Sequence, residues 1–424
     1  MSSSSKGLLA LAKGVLGRTE LLHFASYYLF TVLAAVVGFV SIPYLTTHIP
    51  PEDFGKIGIF LAIVFFMPSL LSFSSNGLQA INIVDQDENA YQEYRNVYIT
   101  FILILSGTAL ILSGFAGLWV TDYCFIIITA TVYGALQLLG SVHSTELIQS
   151  RRSVAFGLFN FITLLLAFLL SVLMISVFKM GWEARIYALI ISEAVVLIVR
   201  FFIVSDIGKS FRFHVDKELF KEFFHFGWPL MISVLAGWLI NQSDRFILLH
   251  FFTLKEVGIY SAAFSISSII ATFNQTMIKV VAPPIYQKFN KREGKGFVMK
   301  LNAMYAGLIL LVAAAGCVAL HFGWQLILGA QYEKALPVAY VLCFAQAFFG
   351  IYMTLGVVID YFKENRLKTK IVWFSAVLSI AVSLLLIPAL GMFAPAVASL
   401  LSFSALAGVT YIAARKILVK YEVK

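Results

Sequence analysis

The run VAFGLFNFITLLLAFLLSVLMISVF, from Val154 to Phe178, holds no charged residue over 25 positions. As a helix rising 1.5 Å per residue it is about 37 Å long, enough to cross a hydrocarbon core of roughly 30 Å. Arg151 and Arg152 precede it and Lys179 follows, so the apolar stretch ends where the charges begin. Similar stretches recur along the whole chain. Their positions predict membrane-spanning helices near Leu21–Leu45, Ile57–Val84, Val97–Val120, Tyr123–Val142, Val154–Phe178, Ile186–Val204, Phe226–His250, Val257–Pro283, Lys300–Phe322, Val338–Ile359, Lys370–Leu390 and Phe393–Arg415. Lipid offers a backbone no hydrogen-bond partners, so the expected fold is an all-α integral membrane bundle of about twelve spans.

The composition agrees. The chain is 60% hydrophobic and 12% charged, with a mean hydropathy of +0.89. A soluble domain carries roughly 25% charged residues. The net charge of +9 could point to nucleic acid, but the basic residues sit in the gaps between apolar segments and read as topology signals. Cys124, Cys317 and Cys343 lack the close spacing of a zinc or redox motif and are assigned to packing. The first span runs too long for a cleaved leader and reads as an anchor. Residues 1–20, with Lys6, Lys13 and Arg18, read as an apolar and basic segment on the inner membrane surface.

Sorted by gap, the N-terminus, the even-numbered gaps and the C-terminus hold about 25 Lys and Arg against about 5 in the odd gaps, which places both ends in the cytoplasm. The strongest clusters are Lys209 to Lys221, Lys288 to Lys295 and Lys363 to Lys370. The longest hydrophilic gap divides the chain into an N-terminal six-helix lobe (1–204), a cytoplasmic linker (205–225) and a C-terminal six-helix lobe (226–424). The halves resemble each other: Glu52-Asp53-Phe54-Gly55 lines up with Lys255-Glu256-Val257-Gly258 at an offset of about 203 residues. Repeats of six spans share one orientation and predict two pseudo-symmetric bundles around a central cleft.

Ile42-Pro43-Tyr44-Leu45 followed by Ile49-Pro50-Pro51-Glu52-Asp53-Phe54-Gly55 resembles the signature that closes the first helix of polysaccharide export flippases. Asp244-Arg245-Phe246-Ile247 leading to Glu256-Val257-Gly258-Ile259-Tyr260, and Gly329-Ala330-Gln331-Tyr332-Glu333-Lys334-Ala335, do the same. The family is that of the Wzx-type O-antigen translocases, in the superfamily that also holds multidrug/toxin extrusion proteins and the lipid II flippase. The resemblance implies movement of an undecaprenyl-pyrophosphate-linked oligosaccharide from the cytoplasmic to the periplasmic leaflet of a bacterial inner membrane. It implies alternating access, no cofactor beyond a proton or sodium gradient, and a polysaccharide polymerase and chain-length regulator as partners beside the lipid-linked cargo and membrane lipids.

The eighth span carries a polar stripe, Ser261, Ser265, Ser268, Thr272, Gln275 and Lys279, at spacings of four and three. The offset maps Thr272, Gln275 and Lys279 onto Ser69, Ser72 and Asn76 of the second span, where Gln79 continues the pattern. These stripes read either as lining for sugar hydroxyls, with Lys279 drawing pyrophosphate, or as small-residue helix packing. In the seventh span Trp238, Asn241 and Arg245 share a face and Asp244 points about 100° away. A lipid-facing charge there is costly, so Arg245 either meets an anionic substrate, whose phosphate suits its fork, or pairs with a carboxylate from another helix or snorkels outward and pins the fold. Glu193, central in the sixth span, reads as a proton carrier or as half of a static pair with Arg245 or another base; Asp244 is the second candidate for coupling. His143, His225, His250 and His321 fall near helix ends and read as interfacial.

No catalytic or metal-ligand cluster appears, nor a phosphate-cradling glycine loop, so neither an enzyme nor ATP-driven transport is expected. The rivals are an ion-coupled exporter of small organic molecules, which calls for acidic residues along its path, and a membrane-bound polymerase, which calls for a large periplasmic loop where this chain has short ones. A scaffold without transport has no need of matching polar stripes. Reporter fusions after Lys217 or Lys295 should report cytoplasm, and fusions after Lys255 or Glu333 the periplasm; a periplasmic signal at Lys295 breaks the twelve-span topology.

Overall fold

A computed structural model describes residues 18–117, 119, 121–205, 207–290 and 294–421. The described residues form helices and no strand: α1 (Arg18–His48), α2 (Pro51–Val64), α3 (Met67–Leu71), α4 (Asn76–Asp85), α5 (Glu88–Gly117), α6 (Cys124–Gln149), α7 (Ser153–Ser176), α8 (Glu183–Ile198) continued by a π-helical turn (Val199–Val204), α9 (Ile207–Ser210), α10 (Lys217–Phe251), α11 (Leu254–Asn290), α12 (Lys295–Ile327), α13 (Ala335–Tyr361), α14 (Asn365–Leu390) and α15 (Ala394–Lys420). Among them, ten stretches are long and apolar enough to cross a bilayer. The last, Asn365–Lys420, contains two helices, and the apolar part of α1, Val32–His48, supplies a further pass. The protein is a multi-pass membrane protein, and the described residues account for about the twelve passes read from the sequence. The expected surface segment at the N-terminus, up to residue 17, and Lys291 and Arg292 lie outside the described residues.

Two spans depart from their expected outlines. The second is broken into α2, α3 and α4, with Phe73 and Ser74 in the left-handed region at φ 51° and 57°. Serine hydroxyls compete for the backbone here: Ser72 donates to the Pro68 carbonyl at 2.8 Å and Ser75 to that of Ser72 at 2.5 Å. The seventh begins at Lys217, so much of the segment read as linker is helix. Asp216 caps it by accepting from the Glu218 and Leu219 amides at 2.8 and 3.1 Å. Phe220 and Phe223 then pack on Phe101 of α5, with ring centroids 5.0 Å away in each case.

The chain divides into two compact units that do not follow the linear halves. The N-terminal unit joins the described residues up to Gly38 with Met67–Leu230, and the C-terminal unit joins Phe39–Phe66 with Met231–Lys424. Within the C-terminal unit, α2 and α11 cross backbone to backbone. A methyl group on Gly55 would collide with the Leu254 carbonyl oxygen, and one on Gly258 with that of Pro51. The contact is reciprocal at an offset of 203 residues, since Pro51 stands to Leu254 as Gly55 does to Gly258. Gly58 and Ser261 stand at the same offset and also touch. Only glycine permits so close an approach.

Around this crossing the three motif segments meet. The Tyr332 hydroxyl donates to the Ile49 carbonyl at 2.8 Å and its ring meets Phe54 edge-on at 5.7 Å, while the Gly329 amide donates to the Thr46 hydroxyl at 3.2 Å. A Cβ in either glycine position forces two backbones apart, at a cost of about 1–3 kcal/mol or more. Gly55→Ala and Gly258→Ala should each lower the thermal midpoint of the detergent-purified protein. Gly237→Ala, at a helical site with open space beside it, should leave it unchanged or raise it; equal midpoints in all three would show that the crossing is not tightly packed.

Candidate functional site: buried charges in two units

In the N-terminal unit, α1, α6, α7 and α8 enclose a cavity of about 530 Å³. Its lining includes Tyr133, Gln137, Ser141, Ser144, Asn160, Thr163, Glu193 and Arg200, with Phe30, Phe156 and Leu164 as apolar wall. Glu193 and Arg200 lie seven residues apart, two helical turns, and so share a face. Both are buried. Arg200 is held by neutral groups: Nη1 donates to the Gly140 carbonyl at 3.0 Å and to Ser144 Oγ at 2.8 Å, and Nη2 to Asn160 Oδ1 at 3.4 Å. Its guanidinium carbon lies 4.9 Å from the centre of the Phe159 ring, while its Nε finds no hydrogen-bond partner among the described residues. Gly140 makes the room, since a Cβ there would stand 2.9 Å from Glu193 Oε1 and 3.6 Å from Arg200 Nη1. The base beside Glu193 is therefore Arg200.

The C-terminal unit holds a second set of charges, closed rather than open. Asp244 accepts hydrogen bonds from the hydroxyls of Tyr260 and of Ser399, the latter at 3.1 Å. Arg245 Nη1 donates to Gln242 Oε1 at 2.8 Å and to the Asn241 carbonyl at 3.4 Å, and its guanidinium carbon lies 4.3 Å from the centre of the Phe264 ring. Both residues are buried, and the two neighbours in sequence are held by different helices: Asp244 by α11 and α15, Arg245 by its own helix and the Phe264 ring, with Arg245 Nε, like that of Arg200, unpartnered among the described residues. The Trp238 indole donates to the Ala62 carbonyl at 2.7 Å, and the Asn241 amide to the Gly237 carbonyl at 2.8 Å.

The stripe of α11 runs from a buried Ser261 through half-buried Ser265, Ser268 and Thr272 to exposed Gln275 and Lys279. Its hydroxyls turn back on their own helix: Ser265 donates to the Ser261 carbonyl at 2.8 Å, Ser268 to Ser265 at 2.6 Å and Thr272 to Ser268 at 3.1 Å. Ser261, which meets Gly58 as Arg245 does, lies eighteen residues before Lys279, about 27 Å along the axis. The structure thus separates Arg245 from Lys279. In the N-terminal unit the Ser72 hydroxyl, which donates to the Pro68 carbonyl, also lies 2.7 Å from the side-chain amide of Asn76, and Asn76 is exposed. Gln79 is buried and committed, its amide donating to the Val142 carbonyl at 2.9 Å and the Tyr91 hydroxyl at 3.1 Å.

A model of the family described as polysaccharide biosynthesis protein matches residues 23–289, well over half of the chain. The chain belongs to the polysaccharide biosynthesis protein family. A curated relative, the succinoglycan biosynthesis transport protein ExoT of Rhizobium meliloti (strain 1021), is 24% identical over 353 residues, covering 81% of this chain and 69% of the relative. The probable low-salt glycan biosynthesis flippase Agl15 of Haloferax volcanii is 24% identical over 225 residues, 52% of this chain and 47% of that one. Among solved structures, an inward-facing multidrug resistance MATE transporter superposes with a TM-score of 0.71 at 14% identity, over 92% of this chain and 95% of its own. The lipid II flippase MurJ in an inward closed conformation gives 0.68 at 12% identity, over 93% and 89%. These likenesses establish that this family member has the fold of the membrane transporters.

Three features of this family member escaped the sequence reading. Arg200 was legible as the residue two turns beyond Glu193, a spacing that places a base on the same face. Asn274, fully buried, donates to the Gln346 carbonyl at 2.7 Å and accepts from the Tyr305 hydroxyl at 2.6 Å, a pin for α11 that lies off the polar stripe. His143, expected at an interface, is buried with its ring 5.9 Å from that of Phe159. Removing the Arg245 side chain empties a packed site and strips Gln242 and Phe264 of their partner, at about 2–4 kcal/mol. Arg245→Ala should lower the thermal midpoint by several degrees, with Arg245→Lys intermediate, and Lys279→Ala should leave it unmoved. A wild-type midpoint for Arg245→Ala would remove Arg245 from the packing of the fold.

Proposed function

We propose that the chain moves an undecaprenyl-pyrophosphate-linked oligosaccharide, an O-antigen repeat or similar unit, from the cytoplasmic to the periplasmic leaflet of a bacterial inner membrane by alternating access. The observation that carries this reading is the polar cavity of the N-terminal unit. It sets a guanidinium and a carboxylate among hydroxyls and amides, inside helices otherwise apolar enough to span a bilayer. Charged groups within a membrane are costly and are kept where they meet a substrate or an ion. The names of the relatives, a succinoglycan transport protein and a glycan flippase, support the same cargo class.

In both units an arginine accompanies the buried carboxylate, which suits a cargo that is not a small cation and weighs against the drug-exporter reading. In the C-terminal unit Lys279 and Gln275, exposed on α11, are assigned to the pyrophosphate and the first sugar, with Thr272 as a further polar contact; in the N-terminal unit exposed Asn76 is assigned a sugar contact of its own, with the buried Ser72 behind it. Arg245, with Trp238 and Asn241 on its face, is assigned to the outer part of the path in the outward-open state, since in this structure it is buried against Gln242 and the Phe264 ring. Glu193 is the group assigned to the coupling proton, with Asp244 as the second. A polymerase and a chain-length regulator act on the delivered product.

A strain lacking the chain should lose surface polysaccharide and accumulate lipid-linked oligosaccharide that a membrane-impermeant glycosidase cannot reach from outside. Wild-type export in that strain rejects the reading. In the complemented strain Glu193→Gln should slow export severalfold at unchanged protein level. Export that follows the wild type across a pH series removes Glu193 from coupling and leaves the cargo assignment standing.

A further inference from the structure

The cavity of the N-terminal unit has a composition that a proton path does not require. Glu193 faces it and accepts no hydrogen bond from the described residues. Arg200 faces it with every contact made to a neutral acceptor and with its buried Nε unpartnered among the described residues. The carboxylate lacks a donor, and a ligand hydroxyl supplies one. The Arg200 Nε is closed off by burial, as that of Arg245 is.

The charge balance narrows the class. With one guanidinium and one carboxylate on the same face the site is close to neutral, and a phosphate placed there meets the Glu193 carboxylate at close range. A neutral polyhydroxylated ligand meets no such repulsion. The remaining lining fits it. Asn160 spends its Oδ1 on Arg200 and keeps its amide N–H groups for a ligand oxygen. Thr163 donates to the Phe159 carbonyl at 2.9 Å, which leaves its oxygen to accept. Phe30, Phe156 and Leu164 offer an apolar wall for the C–H face of a ring. The volume of about 530 Å³ falls within the range of small-molecule sites, roughly 300–1,000 Å³. Gly140 leaves room beside the carboxylate, since a Cβ there would crowd Glu193 Oε1.

We propose that this cavity is a saccharide-binding site for one neutral sugar of the transported glycan, in which Glu193 and the Thr163 oxygen accept from the ring hydroxyls and the Asn160 amide donates to them. The proposal rests on the flippase reading for the origin of the sugar but not for the binding itself. It assigns the N-terminal unit a part in choosing the cargo, apart from the attraction of pyrophosphate.

The test uses the full chain purified in detergent micelles and saturation-transfer NMR with four probes: the methyl glycosides of glucose, galactose, mannose and N-acetylglucosamine. At least one should take up saturation from the protein. Its signal should fall about fivefold, the worth of one hydrogen bond, in Glu193→Ala and in Asn160→Ala, and stay at wild-type strength in Lys416→Ala, an exposed change on α15. Thr163→Val, which keeps the side-chain shape, replaces either variant that elutes as aggregate. No signal from any of the four, or a signal untouched by the cavity variants, overturns the proposal. So does displacement of the glycoside by inorganic pyrophosphate that is lost in Arg200→Met, since that outcome makes the cavity an anion site. If glycosides bind while the deletion strain exports normally, the site stands and the cargo reading falls. If export is lost and no glycoside binds, the reverse holds.

Discussion

The contact on which the C-terminal unit depends is the one made without side chains, where Gly55 and Gly258 let α2 and α11 touch through their backbones. Both helices begin there, at Pro51 and Leu254, with Glu52, Asp53 and Glu256 in their first turns, where the helix dipole favours acidic groups. Tyr332 and Gly329 close over the same place through Ile49 and Thr46. The repeat therefore meets itself, each copy supplying the same glycine and the same carbonyl. Because α2 is bound so closely to α11, residues 39–66 belong with the C-terminal unit although the sequence puts them in the first half.

The two units solve the problem of a charge in lipid differently. In the C-terminal unit Asp244 and Arg245 are closed in by hydroxyls, an amide and an aromatic ring. In the N-terminal unit Glu193 and Arg200 line an open volume. A closed cluster holds helices together; an open one is available to something that enters. Position in the sequence does not distinguish them, for each is an acid and a base on one transmembrane helix.

What was legible in the sequence was whatever repeats. Twelve apolar stretches, the 203-residue offset and the three motif segments all follow from periodicity or from residues that recur, and the structure brings those motif segments together. What was not legible depended on local competition. The second span read as continuous from Ile57 to Val84, because a serine-rich run such as Ser72 to Ser75 still suits a membrane helix until its hydroxyls take backbone carbonyls and the chain turns left-handed at Phe73. Residues 217–225 read as linker because Lys217, Glu218, Lys221 and Glu222 dominate the composition, though Phe220 and Phe223 have helical spacing. Gln79 read as part of a polar ridge; its commitment to Val142 and Tyr91 across 63 and 12 residues is a tertiary fact that no local pattern announces.

The hydroxyls of α11 have a consequence beyond packing. Ser265, Ser268 and Thr272 each donate their proton to the turn before, so what they show outward is only oxygen lone pairs, the same at every step of the helix. A surface of that kind accepts hydrogen bonds and donates none. On the transport reading proposed above, such a helix leaves the choice among glycans to residues elsewhere in the chain.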